Sequence, residues 1–309
     1  MSAPEQALRL RAGVELGYAL VDRLARDLGI RVLAMKGPVL QLQGLRGPHV
    51  SADVDALVDP EDLARTVAAL EELGWVAGGP YFWPLSMPHH SVTMHHPQWP
   101  CEIDLHHYFP GFLAPAQEVF ELLWDRRASV VLAGRDVTCV DRIAHAAVAG
   151  LHYLRHETDP RSVANLHGLT DHVLGTWSAA DLAVLSELAV ATGSSITLAP
   201  LLTGVGAPAG AAGDAARQVG LEGWRLRTRP HSSTVVWLIA LRRTPWRRRP
   251  LFLLHAVFPP FVTPDLRRTR RGRRAQVVDR LRRLGRAARA LPALPRDLRE
   301  LRRLIGGRR

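Results

Sequence analysis

The stretch that decides the fold is Leu33–Val58, LAMKGPVLQLQGLRGPHVSADVDALV. Arg31–Met35 is a short apolar run of β character, and Lys36-Gly37-Pro38 stops it. Pro38 suits the first turn of a helix, where its missing N–H costs nothing. About two helical turns to Leu45 follow, broken at Gly44 and Gly47-Pro48. Asp53–Val58 then alternates as a half-buried strand does. Upstream, residues 4–28 read as a helix with Leu8, Leu10, Val14, Leu16, Leu20, Val21, Leu24 and Leu28 on its buried face, ended by Gly29. Downstream, Pro60 opens a helix over Glu61–Leu73, and strands are predicted at His90–His95 and Glu102–Tyr108. That order predicts an α+β or α/β fold, a small mixed sheet with flanking helices, followed by a helical C-terminal region.

At 309 residues the chain is long enough for two domains, and its 47% hydrophobic and 22% charged content is that of a globular protein. The pattern predicts a sheet-bearing domain over 1–140, a helical subdomain over 141–203 and a linker over 204–224. An Arg-rich, mostly helical region fills 225–309. Ile143, Ala147, Val148, Leu151 and Leu154 line one stripe of the helical part. Two cysteines, Cys101 and Cys139, make neither a disulfide framework nor a zinc site and fit a reducing compartment. The N-terminus carries no apolar signal core and no apolar run reaches about 18 residues, so the expected location is the cytoplasm.

The formal charge of +11 is divided unevenly. Residues 225–309 hold 25 arginines against four acids, a net of +21, which leaves −10 for residues 1–224. Of the 40 basic residues one is a lysine, Lys36.

Asp53 and Asp55, two apart on a strand, leave it on the same face, where they repel each other unless a cation lies between them. Oxygen donors so placed suit a hard ion such as Mg²⁺ that also takes phosphate oxygens. Glu102, Asp104 and His106 share a face of the later strand CEIDLHHY, so a third carboxylate joins the pair if the two strands are neighbours. Three carboxylates on adjacent strands are a minimal holder for two-metal phosphoryl chemistry. An Asp-x-Asp pair is by itself common; the apolar strand around this one and Lys36 at the preceding turn give it weight. The many histidines do not form a zinc pattern, and His145, His152 and His156, on one helical face, read as packed or substrate-lining.

Lys36-Gly37, the short helix, Asp53-Val54-Asp55-Ala56-Leu57-Val58 and Glu102-Ile103-Asp104-Leu105-His106 together resemble the uncharacterised nucleotidyltransferase family of the DNA polymerase β-like superfamily. The resemblance covers residues 30–110 best. It implies that Asp53 and Asp55 hold two Mg²⁺ ions and that Asp104 is the third carboxylate, acting on the acceptor hydroxyl as base or through a metal. Lys36 and Gly37 stand where the wider superfamily holds the triphosphate with a Gly-Ser turn. An arginine usually precedes the aspartate pair by about four residues; here His49 has that place, with Arg46 three residues earlier, and both join the expected nucleotide contacts. His106 is expected as a substrate or outlying contact, and Glu102 competes with Asp104 as third ligand.

The implied activity is transfer of a nucleoside monophosphate from an NTP to a hydroxyl or phosphate of an acceptor, with release of pyrophosphate. The alternative is a degenerate domain that binds nucleotide without turnover. The basic region 225–309 then docks an acidic partner, nucleic acid or an anionic membrane surface, unless it is a solvated helix shaped by composition alone.

Overall fold

The computed structural model describes residues 3–78, 89–207, much of 220–257 and scattered positions from there to 299. Helix α1 spans Ala3–Leu28, strand β1 Val32–Met35, helix α2 Gly37–Leu42, strand β2 Asp53–Val58 and helix α3 Leu63–Glu72. Strands β3 (Val76–Ala77), β4 (Ser91–His95) and β5 (Glu102–His106) follow, then helix α4 (Ala116–Asp125) and the hairpin β6–β7 (Ala128–Leu132, Arg135–Cys139). Helices α5 (Arg142–Leu154), α6 (Pro160–Thr176), α7 (Ala179–Ala191) and α8 (Ala199–Gly204) complete the run. The expected α/β character holds, with a seven-stranded mixed sheet in the order β3-β4-β5-β2-β1-β7-β6. Helix α4 and the β6–β7 hairpin were not anticipated from the sequence.

Compact packing divides the chain into two units, residues 1–77 with 90–228, and residues 78–89 with 229–309. In the second, a 3₁₀ turn at Trp246–Arg248 leads into a helix over Arg249–Val257. Much of the Arg-rich region, including residues 229–240 and 258–284, lies outside the described residues. Among the described residues no helix is long and apolar enough to cross a membrane.

In the first unit the two-residue period of the strands sorts side chains into two cores. Strand β1 pairs antiparallel with β2, and β2 runs parallel to β5 with Asp53 opposite Glu102, Asp55 opposite Asp104 and Leu57 opposite His106. Val32, Ala34, Val54, Ala56, Val58, Ile103 and Leu105 therefore face one way, into a core closed by α1. The other face carries the acids at one end and, further along, Leu33, Met35 and Leu57, which join a core built on α5. One face of the sheet thus holds polar chemistry and helix packing side by side.

Helix α1 turns most of the expected face inward, with Val14 and Val21 buried and Leu10, Leu20 and Leu24 packed against the same core. The buried ridge is Val14, Tyr18, Val21 and Ala25, at spacings of four, three and four, whereas Leu16 and Leu28 are exposed. Gly13 and Gly17 lie on the inner side, and a Cβ built on Gly17 would stand 2.6 Å from Cγ2 of Val54. Close approach of the helix to β2 therefore depends on the missing side chain. Alanine is favoured over glycine within a helix by about 1 kcal/mol, yet crowding a packed core costs about 1–3 kcal/mol. We expect Gly17→Ala to lower the unfolding free energy in urea titrations; a gain in stability would show that the helix can retreat without loss.

Candidate active site

Asp55 governs the site because it is a carboxylate in the interior of a sheet, 3% exposed. Removing such a charge from water costs several kcal/mol unless it is paired. Two partners converge on its Oδ1: the ammonium of Lys36, itself 9% exposed, and Nε2 of His106 at 2.9 Å. A carboxylate accepts, so His106 carries its proton on Nε2. Its Nδ1 is buried with no hydrogen-bond partner among the described residues. Burial first and the charge of Lys36 second push the His106 pKa well below the ordinary histidine value, so the ring is neutral.

The other two acids flank this pair. Asp104 sits opposite Asp55 across β2 and β5 and accepts from Oγ1 of Thr93 on β4 at 2.5 Å. Asp53 accepts from Oγ of Ser51 at 3.2 Å. Both carboxyls are pushed above the usual carboxylate range, each by burial first, with the charge of Asp55 adding to it; Lys36 draws Asp53 back and Thr93 draws Asp104 back. The set is short of positive charge. Asp55, Asp104 and His106 each bring a donor atom within 4.8 Å of one another, with Asp53 beside that group. Carboxylate oxygens with an adjacent imidazole are a donor set that divalent cations accept, so the residues present fit such an ion.

Lys36 reaches Asp55 from an unusual backbone. Its φ of 58° and ψ of −152° fall where glycine is normally required, and Gly37 follows at φ 45°. Such a conformation costs on the order of 1–3 kcal/mol and persists when its surroundings enforce it. Two buried side chains do so. The Lys36 N–H donates to Nε2 of His145 at 2.6 Å, which fixes that nitrogen as unprotonated. Nδ1–H then donates to Oε1 of Gln43 at 2.7 Å, and Nε2 of Gln43 donates to the carbonyl of Val140 at 2.8 Å. On the other side the Tyr18 hydroxyl donates to the carbonyl of Met35 at 2.8 Å and accepts from the N–H of Asp55 at 3.1 Å. It bridges the last paired residues of β1 and β2 and leaves no room for a Cβ on Gly37, which would come 2.8 Å from the hydroxyl.

The structure gathers Lys36, Gly37, Asp53, Asp55, Asp104 and His106. Glu102 lies opposite Asp53 at the start of β5 but is exposed, with its carboxylate 3.2 Å from Nδ1 of His95. Arg46 and His49 lie on the loop between α2 and β2; His49 is exposed, and its pKa is lowered by partial burial and then by Arg46. Tyr18, Gln43, Ser51 and Thr93 belong to the site and were missed in sequence, whereas His145, read there as packed or substrate-lining, is buried and bonded to the Lys36 N–H. Tyr18 alone carried a signal, a lone hydroxyl on an apolar helical ridge. The cysteines are packing residues: both are buried, with thiol pKa values pushed up by burial to about 11 for Cys101 and about 12 for Cys139.

A lysine at the turn after β1 thus faces acids on β2 and β5, the neighbouring strands on that side of the sheet. Residues 9–199 match the family described as uncharacterised nucleotidyltransferase, and the chain belongs to that family. Six solved chains are similar in structure. One is the lincosamide antibiotic adenylyltransferase LnuA with lincomycin bound, at 13% identity, a TM-score of 0.33, and coverage of 50% of this chain and 94% of that one. Another is an antigenic nucleotidyltransferase-like protein from Paracoccidioides brasiliensis, at 12% identity and a TM-score of 0.40, covering 66% and 94%. A third is the antibiotic-resistance factor ANT(2'')-Ia, at 14% identity and a TM-score of 0.34, covering 62% and 89%. No curated protein matches the chain.

The buried histidines give the fold an acid sensitivity of definite sign. Burial, then the charge of Lys36, lowers the pKa of His145 to about 3, and that of His152 falls to about 2 for the same leading reasons. An unfolded histidine takes its proton near pH 6.5. Between these limits the unfolded chain binds more protons, so stability is full above about pH 6.5 and falls below it, by about 1.4 kcal/mol per pH unit for each group. Urea denaturation between pH 6.5 and 4.5 should show the gap between wild type and His145→Gln narrowing as pH falls. A constant gap would contradict a neutral, buried His145.

Proposed function

We propose that the protein transfers a nucleoside monophosphate from an NTP to a hydroxyl or phosphate oxygen of an acceptor, with Mg²⁺ at Asp53, Asp55 and Asp104 and pyrophosphate as the second product. The observation that carries the reading is the register of β2 on β5. It sets Asp55 against Asp104 on the face that also carries Asp53, and Lys36 closes on Asp55 from the end of β1. The raised pKa values of Asp53 and Asp104 support it, because a divalent cation would offset both the burial that chiefly raises them and the repulsion from Asp55 that adds to it. When bound, Mg²⁺ supplies charge for the phosphate oxygens and a template for the acceptor.

The chain's own residues do the rest by position and charge. The attacking acceptor oxygen forms a bond to the α-phosphorus while the bond to the β-phosphate oxygen breaks and pyrophosphate leaves. Asp104, opposite Asp55 on β5, receives the acceptor's proton as its carboxylate. Lys36 and the Gly37 turn face the β- and γ-phosphates, with Arg46 and His49 at the outer edge. Calorimetric titration with each of the four NTPs, with and without Mg²⁺, tests this. Wild type should bind one NTP in a Mg²⁺-dependent manner, and the folded Asp53→Asn/Asp55→Asn variant should lose that binding by at least tenfold. Absence of NTP binding by wild type, or full binding by the double variant, would overturn the proposal.

A further inference from the structure

Among 40 basic residues the chain keeps one lysine, and it stands on the most buried acid of the site. The chemistry of the two cations explains why arginine does not serve there. A guanidinium is a planar fork whose donors match a carboxylate edge, and it is held by that geometry; an ammonium is a compact point charge on a flexible stem. A point charge is also what a metal ion presents to the same oxygen.

The contacts around Lys36 separate a fixed part from a movable part. Its backbone is pinned by His145, by the Gly37 turn and by the Tyr18 hydroxyl beside it. Its side chain has four rotatable bonds and ends on Oδ1 of Asp55, the oxygen that also takes His106 Nε2. Asp55 and His106 are two of the three groups whose donor atoms lie within 4.8 Å of one another, the third being Asp104. A divalent ion drawn to that group would meet the ammonium on one of its ligands, and two positive charges cannot share the oxygen at contact distance without strong repulsion.

We propose that Lys36 is the resident counter-ion of the metal-free site, displaced from Asp55 when a divalent cation enters and turned toward the bound phosphates. The inference rests on the metal–triphosphate reading of the site given above. Its consequence is ordered loading: metal alone binds weakly because it must evict the ammonium, and phosphate oxygens that accept the evicted charge strengthen metal binding. His145 keeps the turn in place during the exchange, so the motion is confined to one side chain.

The full chain with ε-¹⁵N-lysine gives a single side-chain ammonium resonance, because the sequence has one lysine. We expect saturating Mg²⁺ to move or broaden that resonance in wild type. We also expect Lys36→Met to bind Mn²⁺ without nucleotide at least tenfold more tightly than wild type, as read from the free-ion electron paramagnetic resonance signal. An unmoved resonance in metal-saturated wild type, or Mn²⁺ affinity in Lys36→Met no higher than in wild type, overturns the exchange while leaving the metal site standing. Failure of both proteins to bind Mn²⁺, or binding unaffected by Asp55→Asn, removes the metal site itself. The resonance is read on wild type, so the proposal stays testable should the variant fold poorly.

Discussion

The ion pair between Lys36 and Asp55 is the interaction on which the rest of the site depends. A carboxylate placed this deep in a sheet destabilises the fold unless a positive charge meets it, and removing one partner of such a buried pair typically costs 3–5 kcal/mol. The chain meets that demand with a single lysine, at the cost of a backbone conformation that suits glycine. His145 and Tyr18 are then explained as the groups that hold the turn, each filling a hydrogen bond that the segment would otherwise leave unmade in the interior, and Gln43 orients His145. Leaving such a bond unmade costs about 1–3 kcal/mol.

The same demand links fold to function. Strands β1, β2 and β5 are adjacent, so the turn after β1 delivers its cation to acids on the two strands beside it. The sheet's opposite face is apolar and buttressed by α1, which approaches β2 closely at Gly17. The acidic end is therefore backed by a rigid layer, and α5 reaches the site from the other core with His145. Rigid backing holds the acids and their counter-charge in a fixed geometry.

Much of this was legible in the sequence, and the limits have physical causes. The period of two in DVDALV placed Asp53 and Asp55 on one face, and the second alternating strand placed Asp104 with them, because period alone determines side. The Lys36-Gly37-Pro38 stop was legible as well, since glycine and proline restrict the chain locally. The contact of Lys36 with His145 was not, because 109 residues separate them and helix periodicity says which face is buried but not against what. The β6–β7 hairpin escaped because its turn is Ala133-Gly134, with Ala133 at φ 48°, rather than an Asn-Gly or Asp-Gly pair. The inner face of α1 was legible through Val14 and Val21, but leucine count wrongly added Leu16 and Leu28, whereas packing against the sheet selected Tyr18 with small neighbours at Gly13 and Gly17.

The most direct measurement is anomalous diffraction from crystals grown with Mn²⁺ and a non-hydrolysable analogue of the NTP that binds. An anomalous peak at about 2 Å from carboxylate oxygens of Asp55 and Asp104, with triphosphate oxygens completing its coordination, is the predicted result. A triphosphate bound away from these acids, with Lys36 still on Asp55 and no metal beside it, would contradict the account.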